Sequence, residues 1–179
     1  MDEMSIIKQV LGGDTESFCL LVQRYQKPVI RMIKNLIYDY HICEDIAQDV
    51  FFTAYRKLSS FDPNRSSFST WLFTIARNKS INAIKRKKLL SVRGLSEISD
   101  LSLPSDKPNH KELFEQLDLA LLKLPIKQKT AFILAEFERL PYEQIAQIEG
   151  TKIGTVKSRI NRAKKKLRST LKGFVGDNI

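Results

Sequence analysis

The stretch Pro141–Leu171, PYEQIAQIEGTKIGTVKSRINRAKKKLRSTL, constrains this chain more than any other. Tyr142–Ile148 reads as a short helix with Ile145, Ala146 and Ile148 on its apolar face, and Gly150 breaks it. A second helix is predicted from about Thr151, whose hydroxyl is suited to cap the free N–H groups of the first turn. Along it Ile153, Val156, Ile160, Ala163 and Leu167 recur with a 3.6-residue period, and Gly154, Ser158, Asn161, Arg162 and Lys165 point the opposite way. From Lys152 to Lys172 there are nine bases and no acid. A helix with one buried and one cationic face, preceded by a short helix and a glycine turn, is a helix-turn-helix suited to a DNA major groove. A solvated basic surface helix shares the charge but not the short helix, the small Ala146 at the helix crossing or the turn.

The net charge of +10 over 179 residues favours a polyanionic partner. The apolar content of 42% is that of a folded globular chain. No apolar run approaches the roughly 20 residues that span a bilayer, and MDEMSIIKQ lacks a signal-peptide layout, so a cytoplasmic location is expected. Cys19 and Cys43 lie outside any CxxC spacing and are read as buried reduced thiols. His41 and His110 stand alone. No catalytic triad, metal box or phosphate-cradling glycine loop is present, so neither an enzyme nor a metal, cofactor or small-molecule site is expected.

Periodicity elsewhere is helical, which makes the fold class all-α. Ser5–Leu11 is a short amphipathic helix ending at Gly12-Gly13. Asp14 is positioned to cap a long helix through Phe18, Leu21, Val22 and Tyr25, and Pro28 is expected to bend or interrupt it before Val29–Tyr38 continues. A third helix is predicted over Cys43–Leu58, a loop over Phe61–Ser66, and a fourth helix over Phe68–Lys88 with Phe68, Trp71, Leu72, Ile75, Ala76 and Ile84 as core. Residues 89–110 are Ser-rich, carry Gly94, Pro104 and Pro108, and read as a flexible linker with an apolar stretch around Leu101 and Leu103. Helical periodicity resumes at Leu113, Leu117, Ala120 and Leu124; Pro125 stops it, and Lys127–Glu138 follows. The expected architecture is therefore two small helical domains, 1–88 and 111–179, the second a helix-turn-helix.

Two segments of the first domain stand out. On the third helix Ile46, Ala47, Val50, Phe51, Ala54 and Leu58 form a buried face, while Asp45, Gln48, Asp49, Phe52 and Arg56 project from the other. An aromatic on that polar stripe is either a contact site or packs on the first helix. From Pro63 to Leu95 there are eight bases and no acid, with Phe61, Phe68, Trp71 and Phe73 at or beside them. Bases interleaved with rings suit single-stranded DNA, where phosphates meet cations and bases stack on aromatics. Phe68 also fits a core stripe, Trp71 fits either reading, and the loop residue Phe61 is the freest to touch a base.

With these segments in order, the chain resembles the extracytoplasmic-function sigma factors, the minimal bacterial type with only regions 2 and 4. The resemblance covers nearly the whole chain and rests on GDTESF, EDIAQDVFFTAYRKL, FDPNRSSFSTWLFTIARNKSINAIKRKK and LPYEQIAQIEGTKIGTVKSRINRAKKKL. It implies an alternative sigma factor that recruits core RNA polymerase to promoters, with 1–88 as region 2 and 111–179 as region 4. Asp45, Gln48, Asp49, Phe52 and Arg56 would dock on the clamp helices of the largest polymerase subunit. Phe61, Asn64, Arg65, Trp71, Arg77, Asn78 and Lys85 would open and read the −10 element, the loop Phe61–Ser67 capturing an extruded base. Thr155, Lys157, Ser158, Arg159, Asn161, Arg162 and Lys165 would read the −35 element. The resemblance further implies an anti-sigma partner, often membrane-anchored. Where the family often has Pro at the first turn of the recognition helix, this chain has Lys152, which moves the helix start by up to a residue. A helix-turn-helix regulator that binds duplex DNA without polymerase would explain 111–179 but not 61–88. An RNA-binding or membrane-surface helical protein would explain only the charge.

Overall fold

In the computed structural model, residues 2–37, 39–92 and 111–172 are described. They are helical, with no strand among them. The helices are α1 (Glu3–Leu11), α2 (Phe18–Ile37), α3 (Tyr40–Arg56), α4 (Phe68–Val92), α5 (Lys111–Leu122), α6 (Ile126–Phe132), α7 (Tyr142–Glu149) and α8 (Ile153–Leu171). The chain divides into two compact units, one built on α1–α4 and the other on α5, α6, most of α7 and α8.

In the first unit α2, α3 and α4 pack on one another and α1 lies against α2. Helix α1 buries Ile6, Ile7 and Val10. It ends at Gly13 (φ 106°), a left-handed position that costs glycine little. The amide of Asp14 then bonds to the Gln9 carbonyl at 3.1 Å, which satisfies a carbonyl the helix end would leave open. Asp14 does act as a cap, but of a single 3-10 turn, Thr15–Ser17, that leads into α2: its carboxylate accepts from the Ser17 amide at 3.3 Å and the Ser17 hydroxyl at 2.6 Å. The expected interruption at Pro28 does not occur, because α2 runs unbroken through it. An interior proline costs about 3 kcal/mol or more in a helix. Here burial of Leu21, Val29, Met32, Ile33 and Leu36 offsets that cost. Tyr38 lies outside the described residues.

Helix α3 starts three residues earlier than expected and closes in a 3-10 turn, Leu58–Ser60. It buries Ala47, Val50 and Ala54, while Ile46 and Phe51 are half-buried. Small residues at Ala47, Ala54, Ala76 and Ser80, all buried, let α3 and α4 approach closely. The Ser80 hydroxyl is satisfied by the Ala76 carbonyl at 2.8 Å. Of the expected α4 core, Phe68, Leu72 and Ala76 are buried and Trp71, Ile75 and Ile84 half-buried. Helix α4 extends through Val92, so residues 89–92 of the expected linker are helical. The rest of that linker, 93–110, lies outside the described residues, as does His110. Cys43 is buried and donates to the Asp39 carbonyl at 2.9 Å; burial pushes its thiol up to about 11. Cys19 is exposed, against expectation, because it falls on the solvent side of α2.

In the second unit α8 packs on α6 and α5. Pro125 separates α5 from α6, and α6 passes into a π turn over Ile133–Phe137. Arg139, a non-glycine residue with φ 53°, follows, and the Leu140 amide bonds to the Leu134 carbonyl at 3.0 Å. Lys129 is only 4% exposed. Burial pulls its ammonium down to about 8, and the nearby Asp118 carboxylate opposes that shift.

Candidate nucleic-acid interface

Helix α7 stops at Gly150, whose φ of 59° lets the Thr151 amide reach the Ala146 carbonyl at 2.9 Å. The chain then enters α8 through Lys152, not Thr151: Lys152 is extended and makes no side-chain cap. The amides of Thr155 and Val156 bond to the Lys152 carbonyl at 2.9 and 3.2 Å. Val156, Ile160, Ala163 and Leu167 are buried as their period requires. Ile153 is 38% exposed, because the later helix start puts it in the unpacked first turn. On the outer side Gly154, Lys157, Ser158, Asn161, Arg162 and Lys165 are exposed. Thr155 and Arg159 are half-buried at its margin.

The nine bases of this region are not equivalent. Lys164 pairs with Glu136 at 2.8 Å, and Lys166 donates to the Lys123 carbonyl at 2.8 Å, tying α8 to the end of α5. Of the seven others, Lys157, Arg162 and Lys165 are exposed beside the exposed Ser158 and Asn161. That is a surface able to donate to base edges at its centre and to phosphates at its rim.

In the first unit the loop before α4 is held by its own polar groups. The Asp62 carboxylate accepts from the Asn64 amide at 2.9 Å, its carbonyl accepts from the Arg65 amide at 3.1 Å, and the Ser67 hydroxyl caps α4 through the Thr70 amide at 3.2 Å. Asn64 and Arg65 are exposed at the turn. Phe61 is not a free loop ring: it is half-buried, 5.6 Å from Phe68 edge-on and 5.5 Å from Trp71. Phe68 is fully buried, with Tyr25 5.6 Å away on another side. Phe61 and Trp71 are thus the partly open rim of an aromatic cluster, which fixes their orientation. Trp71, Asn78 and Lys85 recur every seven residues and so share one side of α4. Asn78 and Lys85 are exposed. Arg77 is half-buried, its Nη1 donating to Asn78 Oδ1 at 2.9 Å while its buried Nε has no partner.

On α3, Asp45, Gln48, Asp49, Phe52 and Arg56 are all exposed. Phe52 does not pack on the first helix: it is 59% exposed, with the Arg56 guanidinium 5.7 Å above its ring. Tyr55, which the sequence reading passed over, is also exposed on this helix. Asp49 Oδ2 pairs with Lys79 Nζ of α4 at 2.7 Å. Nothing in the spacing of either residue signalled that link. Among the described residues no group of three or more His, Cys, Asp or Glu converges on a point, and no helix is long and apolar enough to cross a membrane.

Comparison with known proteins matches residues 21–89 to sigma-70 region 2 and residues 114–167 to sigma-70 region 4. The chain is 35% identical over 178 residues to the ECF RNA polymerase sigma factor SigW of Bacillus subtilis, covering 93% of this chain and 95% of that one. It is 30% identical over 190 residues to the ECF RNA polymerase sigma-E factor of Escherichia coli, covering 98% and 97%. Among solved structures, the sigma factor RpoE of Bartonella quintana, crystallised with the anti-sigma factor NepR, gives a TM-score of 0.74 at 27% identity over 89% of this chain and 99% of that one. CnrH, solved with the cytosolic domain of CnrY, shares the fold, with a TM-score of 0.72 at 22% identity over 95% and 97%.

Proposed function

The chain belongs to the extracytoplasmic-function sigma factors, which direct RNA polymerase to initiate transcription, and from that premise we propose how its own surfaces divide the work. Residues 1–88 act as region 2 and 111–179 as region 4, with core RNA polymerase and promoter DNA as partners in the cytoplasm. The observation that carries this division is the exposure, on helices whose other sides are buried, of three chemically distinct faces. The α3 face, with carboxylates, an amide and the erect Phe52 ring, suits a protein partner, because an aromatic anchor amid polar groups is how such interfaces are built. It meets the polymerase clamp helices. The loop 61–67 and the Trp71–Asn78–Lys85 side of α4 suit an opened strand: Phe61 and Trp71 offer ring surface to an extruded base, Asn64 and Arg77 hydrogen bonds, and Arg65 and Lys85 phosphate contacts.

The α8 face suits duplex DNA at the −35 element. Ser158, Asn161 and Arg162 read bases, while Lys157 and Lys165 meet phosphate, with Thr155 and Arg159 at the margin. Gly154 has open space where a Cβ would stand, so packing within the protein does not demand glycine there. Its smallness keeps the first turn of α8 low for a close-lying strand. An anti-sigma factor, of the kind crystallised with the Bartonella relative, competes for these faces.

The test is run-off transcription from a genomic fragment library with purified core polymerase, with and without the protein. Discrete start sites that need both components are expected. A regulator acting without polymerase predicts instead that the protein alone protects duplex DNA and leaves start-site choice by core polymerase unchanged.

A further inference from the structure

Helix α2 carries a surface that none of these faces uses. Its sequence, FCLLVQRYQKPVIRMIKNLI, holds Arg24, Lys27, Arg31 and Lys34 and no acid. Steps of three, four and three residues keep the four cations on one side, opposite the buried Leu21, Val29, Met32, Ile33 and Leu36. Arg24, Lys27 and Arg31 are exposed and Lys34 half-buried. Lys27, Arg31 and Lys34, with Ile30 and Asn35, line a shallow depression of about 350 Å³. We propose that this stripe is a phosphate-binding surface that grips the sugar–phosphate backbone of promoter DNA next to the opened element. The proposal rests on the reading of the chain as a promoter-binding sigma factor.

Two observations support a polyanion over a protein partner. Leu20 is the one exposed large apolar side chain of α2 and it precedes the cations, so no exposed aromatic or methionine of the kind protein interfaces favour stands among them. The stripe also runs toward the basic end of α4, whose Lys85 is assigned to phosphate above. The charges of Lys34 and Asp39 both act on the Cys43 thiol, and Lys87 of α4 holds Asp39 at 2.9 Å. Lys34 therefore lies near the end of α4 that carries Lys85, Arg86, Lys87 and Lys88. Acids flank the stripe at both ends, Glu3 at 3.8 Å from Arg24 and Asp39 beyond Lys34. Ten residues of helix span about 15 Å. At about 3.4 Å per nucleotide along one strand, that length faces roughly four phosphates.

The experiment measures promoter affinity of the holoenzyme against salt for wild type and for the triple variant Lys27→Gln, Arg31→Gln, Lys34→Gln, which keeps the side chains polar and removes their charge. Each lost phosphate contact lowers the log–log salt slope by about 0.7 (single strand) to 0.9 (duplex), so the slope should fall by about two to three units. The affinity ratio of wild type to variant then changes roughly 15- to 40-fold between about 50 and 200 mM salt. Base preference and affinity for DNA-free core polymerase should stay as in wild type. An unchanged slope overturns the proposal, and so does weakened binding to core without DNA, which would make the stripe a protein-docking face. Should the triple variant fail to fold, Lys27→Gln alone, at an exposed position, must still lower the slope by about 0.7–0.9. A wild-type holoenzyme with no promoter preference would instead refute the sigma-factor reading itself.

Discussion

Asp49→Arg separates a polymerase contact from an internal strut. In the free protein Asp49 pairs with Lys79 at 2.7 Å, the two side chains being 53% and 32% exposed. A pair so open to water contributes about 0.2–1 kcal/mol to stability. Breaking it and placing a second cation beside Lys79 should cost the fold about 1 kcal/mol, small against the roughly 5–15 kcal/mol of a typical domain. Helical circular dichroism should therefore be unchanged at room temperature. Against core polymerase the substitution removes a carboxylate from a desolvated contact and adds repulsion, a loss of about 2–5 kcal/mol. That is roughly 30-fold to several-thousand-fold in Kd.

The control is Lys79→Met, which breaks the same ion pair and leaves Asp49 in place. If Asp49 faces the polymerase, this variant should bind core within about fivefold of wild type, the upper size of an exposed pair. Competition against labelled wild type for core reports both affinities. Equal losses in the two variants would show that Asp49 acts only by holding α4. An unchanged affinity for Asp49→Arg would show that another face docks.

On α8, Arg162→Ala should cost about 1–3 kcal/mol at a cognate −35 element and relax preference at one position, whereas Lys165→Ala should weaken all sequences alike and lower the salt slope by about one unit; binding to a randomised −35 library distinguishes the two. Lys129 is held below its ordinary pKa by burial, so the unfolded chain binds the extra proton between about pH 8 and 10.5. The Lys129 contribution to stability should therefore rise with pH across that window and be lowest below it, and Lys129→Met should show a flatter pH profile than wild type. Thermal melts of wild type and Lys129→Met from about pH 7 to 10 check the sign, since the opposite contribution of the raised Cys43 thiol is common to both, and a wild-type-minus-variant difference that falls with pH would contradict it. A thiol reagent at neutral pH should label Cys19 and spare Cys43 until the protein unfolds, since Cys43 is buried and its thiol is raised to about 11.

Helix α8 was legible because its signal is local: Val156, Ile160, Ala163 and Leu167 repeat at the helical period and all four are buried. The outward set at 154, 158, 161, 162 and 165 followed from the same angle. Ile153 was misplaced because its burial depends on where the helix starts, and Lys152 rather than Thr151 forms that boundary. The sequence counted Lys164 and Lys166 only as two of nine bases, because their partners, Glu136 and the Lys123 carbonyl, are brought to them only by packing of α8 on the preceding helices. The Asp49–Lys79 link, 30 residues apart in sequence, was hidden for the same reason. Pro28 misled in the other direction: a strong local breaker is overridden by the apolar face on both sides of it. Phe52 could be weighed only as an anomaly in a polar stripe until its exposure settled that it serves no core.

The central claim is that this protein opens DNA only as part of a polymerase, with its region 2 surfaces holding the separated strand. Permanganate reactivity of thymines in a cognate promoter measures that opening directly. The account predicts reactive thymines within the −10 element when protein and core polymerase are both present, none with either alone, and loss of the signal in Asp49→Arg at protein concentrations that saturate wild type. Reactive thymines with the protein alone, or a holoenzyme that initiates transcription with its −10 thymines unreactive, would contradict it.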